Sequence, residues 1–210
     1  AGASEKAGLE FKPSPGERRF AEFGGGGRMV TFKLWAGAEL LKVEVNFVEK
    51  LLFPPKSVTV RTLLRGRRLS REERAYFREF LEFYRPFRLM AYDERETLCE
   101  KVRAILTRRV QKLRDFYDVF MIEKAGVRVN ELRSEILTKI KEMMRFKKYR
   151  EALEAGVKSL EIEEVLNDPL EMEMLIVKPD EEFYSFVKRF EKFLDGIAKS
   201  AAGSAGIFGW

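Results

Sequence analysis

The spacing of apolar residues changes part-way along the chain, and that change restricts the fold more than any other feature. From Met29 to Trp35 and from Leu40 to Val48 apolar side chains come in short β-branched and aromatic runs, the pattern of strands. The link Ala36-Gly37-Ala38-Glu39 is short enough for a hairpin, and a third strand is expected over Ser57 to Leu64. Beyond Ser70 the spacing becomes three and four residues, the period of a buried helix face. Ser70 with Glu73 makes a capping box for a helix to about Tyr84; Pro86 stops it, and Phe87 to Tyr92 is extended. Asp93 and Glu96 repeat the N-terminal signature for a helix to about Arg109, and a second runs from about Arg114 to Lys124, closed by Gly126. Asn130 caps a helix to about Phe146, and shorter helices follow over Lys148 to Ala155 and Glu161 to Leu166. Pro179-Asp180-Glu181 opens the last, to about Lys199. Residues 1–28, with the run Gly24-Gly25-Gly26-Gly27, read as loop. The expected class is therefore α+β, a partial mixed sheet with packed helices followed by an all-helical C-terminal region. Its expected parts are a loop-rich segment at 1–28, an α+β core at 29–126 and a helical domain at 127–210.

Histidine is absent and Cys99 is the lone cysteine. Together these facts remove Ser-His and Cys-His catalysis, His- or Cys-ligated zinc and any disulfide framework. Catalysis, if present, must come from carboxylates, Lys, Arg, Tyr, Ser or a carboxylate-bound hard metal such as Mg²⁺. The net charge of +6 suits a polyanionic partner, but a Lys/Glu/Arg-rich, amide-poor chain is also what a thermophile's surface produces. No apolar run approaches the roughly 18 residues of a membrane span, and Ala1 to Lys6 lack the apolar stretch of a secretion signal. A cytoplasmic protein with no membrane partner is expected.

Chemistry concentrates on the helix after Asp93. Leu98, Val102, Ile105 and Leu106 define its buried face, and Lys101 lies on that face or at its edge. An ammonium there must snorkel out or meet a carboxylate. The next helix offers Asp115 and Asp118, three apart on one face, and the short connection brings the helices antiparallel with Lys101 near both. Pattern alone leaves two readings open: a structural ion pair between helices, or a phosphate-binding lysine held by aspartate.

The local residues resemble a family block. Glu100-Lys101-Val102-Arg103-Ala104-Ile105-Leu106-Thr107-Arg108, then Arg114-Asp115-Phe116-Tyr117-Asp118-Val119, is similar to the E-K-x-x-A-L-x-x-R … R-D-x-x-D-[ILV] block of AbiEii-type nucleotidyltransferases, the toxin half of bacterial and archaeal toxin–antitoxin pairs. Lys42-Val43-Glu44-Val45 resembles the family's K-[IV]-[DE]-[IV] strand, and the likeness spans roughly Met29 to Lys124. It implies a nucleotidyltransferase-fold sheet, with Lys101 and Asp115 essential to catalysis, Asp118 beside them and Glu44 as a metal carboxylate. It also implies Mg²⁺ as cofactor, an NTP and a nucleic acid such as a tRNA 3′ end as substrates, and a cognate antitoxin as partner. Family members begin with a Gly-Gly or Gly-Ser turn and an Asp-x-Asp strand that carries the metals. No Asp-x-Asp precedes Glu44, so the expectation is a chain without that segment and with an incomplete metal set.

Arg108, Arg109, Lys112 and Arg114 lie in and beside the loop between the two helices, where they would meet triphosphate or RNA backbone. Arg65, Arg67 and Arg68, and the stretch from Lys139 to Arg150, read as solvated surface, while the tryptophans, phenylalanines and Met143-Met144 read as core. The expected function is transfer of NMP from an NTP to a nucleic-acid acceptor. The alternative is a non-catalytic nucleotide-, RNA- or protein-binding module on a degenerate nucleotidyltransferase scaffold.

Overall fold

The computed structural model describes residues 2–12, 14, 17–24, 28–47, 50–61, 66–81, 84–158 and 162–207. Three glycines of the four-glycine run, the far end of the third expected strand with Arg65, and Glu161, Phe208 and Trp210 lie outside the described residues. The chain forms two compact units, Ala1–Leu51 and Leu52–Trp210.

The first unit holds a short helix α1 (Gly2–Lys6) and the strands β1 (Ala21–Gly24), β2 (Met29–Ala36) and β3 (Glu39–Asn46), antiparallel in the order β1-β2-β3. The β2–β3 hairpin turns where alternation predicted, and Gly37 takes φ +62°, a left-handed value that glycine adopts without a Cβ clash. β1 corrects the expectation of loop over 1–28: Ala21-Glu22-Phe23-Gly24 is too short to show a period, but pairing with β2 satisfies its backbone groups. The Trp35 indole N–H donates to the Arg19 carbonyl at 3.1 Å, tying the segment before β1 to the sheet. β3 is an edge strand, and Leu41, Val43 and the following Phe47 are exposed.

The second unit opens with an antiparallel hairpin, β4 (Lys56–Val60) against β5 (Phe87–Ala91). All described strands thus pair antiparallel in two small sheets, where a mixed sheet is expected; the α+β class and the helical C-terminal region are as the pattern implies. Between the strands the Ser70–Glu73 capping box forms in both directions. The helix it opens is nevertheless broken at Phe77 into α2 (Arg71–Tyr76) and α3 (Arg78–Leu81). Neither buries a residue, so no packed face carries the helix across the break at Phe77, and Glu82 and Phe83 lie outside the described residues.

The remaining helices are α4 (Glu94–Thr107), α5 (Leu113–Lys124), α6 (Arg133–Met144), α7 (Lys147–Lys158), α8 (Ile162–Leu166), α9 (Pro169–Glu173) and α10 (Glu181–Ile207). A 3-10 turn over Val129–Leu132 precedes α6 and contains Asn130, so α6 starts at Arg133 with no side-chain cap rather than at an Asn130 cap. The core joins Leu98, Val102 and Ile105 of α4, Phe116 and Val119 of α5, Ile136 and Ile140 of α6, and Phe183, Phe190 and Leu194 of α10. Helices before and after Gly126 share it. Among the described residues no helix is long and apolar enough to cross a membrane.

Candidate functional site

Asp93 caps α4, its carboxylate accepting the Arg95 N–H at 2.9 Å, and the loop 108–112 returns the chain into α5. With Leu98, Val102, Ile105, Phe116 and Val119 all buried between the helices, their rotation is set, and Lys101 meets the face that carries Asp115 and Asp118. Asp115 lies in the first turn of α5, where unpaired backbone N–H groups favour a carboxylate.

Lys101 Nζ lies 2.8 Å from Asp115 Oδ1 and 2.5 Å from Asp118 Oδ2. The second oxygen of Asp115 takes the Arg108 guanidinium. The two aspartates differ in burial: the Asp115 side chain is 2% exposed and that of Asp118 46%. Burial pulls the Lys101 ammonium down, but the hydrogen bonds it donates to Asp115 and Asp118 outweigh that and raise its pKa above the usual lysine value. Lys101 is therefore a cation with one permanent inner partner and one outer partner that solvent can reach. An incoming phosphate can replace Asp118 while leaving no buried charge unpaired.

The other expected cations divide. Lys112 is 3.1 Å from Glu171, whose carboxylate is buried in α9, so this lysine ties the start of α5 to α9. Arg109 makes a long, exposed contact of 3.8 Å to Glu151, and Arg114 is exposed without an ion pair among the described residues. Glu44 is exposed on β3, opposite Thr31, in the first unit. Among the described residues no three carboxylates or thiols gather as metal ligands.

A second ionic cluster lies on α4. Lys139 of α6, 3% exposed, pairs with Glu96 and lies 2.7 Å from Glu100 Oε1. The other oxygen of Glu96 accepts the N–H groups of Leu52 and Phe53 at 2.9 and 3.0 Å, and Arg103 closes on Glu100 at 2.6 Å. Two expectations are corrected here. Glu96 turns inward instead of capping its own helix, and Lys139 is buried, unlike the exposed Lys141, Lys147 and Lys148. The signal was available: Lys139 is three residues from Ile136 and four from Met143, both buried, which puts it on the apolar face as Lys101 is on its own. Nearby Cys99 is buried and its thiol is pushed up to about 12, first by burial and then by the Glu96 charge, which leaves it inert.

A family model described as "Nucleotidyl transferase AbiEii toxin, Type IV TA system" matches residues 1–196. The match extends on both sides of the 29–124 stretch that carries the motif resemblance. No curated protein and no solved structure matches the chain.

Proposed function

The chain belongs to the AbiEii nucleotidyltransferase toxin family of type IV toxin–antitoxin systems, and on that premise we propose that it transfers NMP from an NTP to a nucleic-acid acceptor such as a tRNA 3′ end, with Lys101 receiving the triphosphate. The observation that carries this reading is the unequal pair of aspartates on one lysine, a buried one that holds it and an exposed one that can yield to phosphate. In the transfer, the acceptor hydroxyl oxygen bonds to the α-phosphorus as its proton passes to solvent, and the bond from the α-phosphorus to the bridging oxygen breaks to release pyrophosphate, so charge must be balanced along the triphosphate. Lys101 supplies that balance, with Arg108 beside it. Asp115 gives one oxygen to each cation, which makes it a positioning residue for both rather than a base for the hydroxyl.

Arg109 and Arg114 stay open toward a polyanion, while Lys112 braces α5 through Glu171. Glu44 is the proposed metal carboxylate. By itself it does not fit a Mg²⁺ ion, since it is a single exposed carboxylate, and both oxygens of Asp115 are held by cations. A cognate antitoxin is the expected protein partner, and the cytoplasm the expected compartment.

The test pairs two measurements on the chain and its Lys101→Ala variant: equilibrium NTP binding, and transfer of label from each α-labelled NTP to total tRNA with Mg²⁺. Losing a charge-assisted contact to phosphate, roughly 1.5–3 kcal/mol, lowers NTP affinity by about tenfold or more, and labelling disappears. Equal binding and labelling by both proteins would falsify the role of Lys101. Binding without labelling by either would support the non-catalytic nucleotide- or RNA-binding module.

A further inference from the structure

A groove separate from the Lys101 cluster runs along α10 where this helix packs on the C-terminal end of α5 and the turn after it. Two adjoining cavities of about 250 and 110 Å³ form it, sharing Glu123, Phe186 and Arg189. The first adds Lys124 and Arg128, and the second adds Asn130. Asp115 and Lys124 stand near opposite ends of α5, roughly 13 Å apart along its axis at the helical rise per residue.

The charge in this groove is unequally committed. Its acids already have partners: Glu182 holds Lys124 at 2.7 Å, and Glu123 accepts the Val129 N–H at 3.0 Å. Arg128 and Arg189 are exposed, and among the described residues no ion pair or hydrogen bond engages either guanidinium. Lys188 and Lys192 flank Arg189 on the exposed side of α10 and are likewise without a partner among those residues. Some exposed cations elsewhere do find acids, as Arg19 finds Glu10 at 2.9 Å, while Arg114, like the cations of the groove, has no ion pair among the described residues. Beneath the rim the rings of Phe120 and Phe186 are buried, 5.5 Å apart between centroids, so the helices bearing these cations are held by a packed floor.

We propose that this groove is a second phosphate site, holding the backbone of the nucleic-acid acceptor strand at a distance from Lys101; it rests on the nucleotidyl-transfer reading. Guanidinium forks match phosphate oxygens, and the Asn130 amide offers both a donor and an acceptor to a base edge or a 2′-hydroxyl.

The experiment measures fluorescein-labelled bulk tRNA binding to the full chain and to the Arg128→Ala/Arg189→Ala double variant across a range of KCl concentrations. Each phosphate contact adds about 0.9 to the slope of log K against log salt, so the double variant is expected to bind about tenfold more weakly with a slope flatter by about 2. The Arg128→Lys/Arg189→Lys variant restores most of the slope, because the slope counts charge, which lysine keeps, and not the shape of the guanidinium fork. An unchanged affinity and slope would overturn the proposal. So would a flattened slope that lysine fails to restore, which signals damage to the fold. A deficit seen with poly-glutamate but not with tRNA overturns it too, since the groove would then take an acidic polypeptide. NTP binding by Lys101→Ala is measured alongside: its failure removes the transfer reading, while the tRNA slopes report on the groove separately.

Discussion

Removing the ammonium of Lys139 would strand the carboxylates of Glu96 and Glu100 in the interior, with Arg103 left to answer Glu100 alone. Lys139→Met keeps most of the side-chain volume and deletes the charge, and breaking a buried ion pair on one side costs about 3–5 kcal/mol. Urea denaturation is expected to show a loss of that size, and a loss under about 1 kcal/mol would mean the carboxylates relax to water. Burial lowers the Lys139 pKa, but Glu100 and Glu96 outweigh it and raise it. Burial raises that of Glu100, but Arg103 and Lys139 bring it below the usual value. The contribution of Lys139 is thus lost only as pH rises through a value above 10.5, and that of Glu100 only as pH falls through a value below 4.5. Between those limits the contributions of Lys139 and Glu100 are insensitive to pH. Lys101 with Asp115 and Asp118 was legible in the sequence because both partners sit on the next helix at face-sharing spacing. Lys139 obeys the same rule, but its acids lie far back in the chain, and Glu96 reads locally as a cap.

The start of α4 is itself titratable. Arg95 hydrogen-bonds Asp93 and brings this carboxyl down to about 2 against a smaller opposing effect of burial. A lowered folded-state value means stability that is full above about 4 and lost as pH falls through about 2. Asp93→Asn keeps a capping side chain and removes the charge. The stability difference between the two proteins is therefore expected to be constant above about pH 4 and to shrink as pH falls through about 2; a difference that persists undiminished at the acid end would contradict it. Elements with a buried face were readable, including α4, α5 and α10, since period and packing agree there, while the β2–β3 hairpin was readable from its β-branched runs and short link although β3 buries no side chain. Others were not: β1 is too short to show a period and exists through pairing, α2 and α3 part at Phe77 with nothing buried to join them, and Asn130 was absorbed into a turn.

Stability is not shared evenly between the two units. The second has fully buried side chains from α4, α5, α6 and α10 in one cluster, whereas β3 in the first is an edge strand with exposed Leu41 and Val43. Native-state hydrogen exchange should therefore be slowest in α4, α5 and α10 and much faster along β3; β3 amides as slow as those of α5 would show that the edge is covered in solution. The core that orients Lys101 and Asp115 is completed by residues far downstream: Phe116, next to Asp115, meets Phe190 of α10 edge-on at 6.0 Å between centroids. On the ribosome this has a consequence of timing. A nascent chain paused after α5 would already contain Lys101, Arg108, Asp115 and Asp118, yet the helix that fixes their angles would still be untranslated. For a member of a toxin family, such an order of synthesis delays assembly of the Lys101 cluster until α10 has been made.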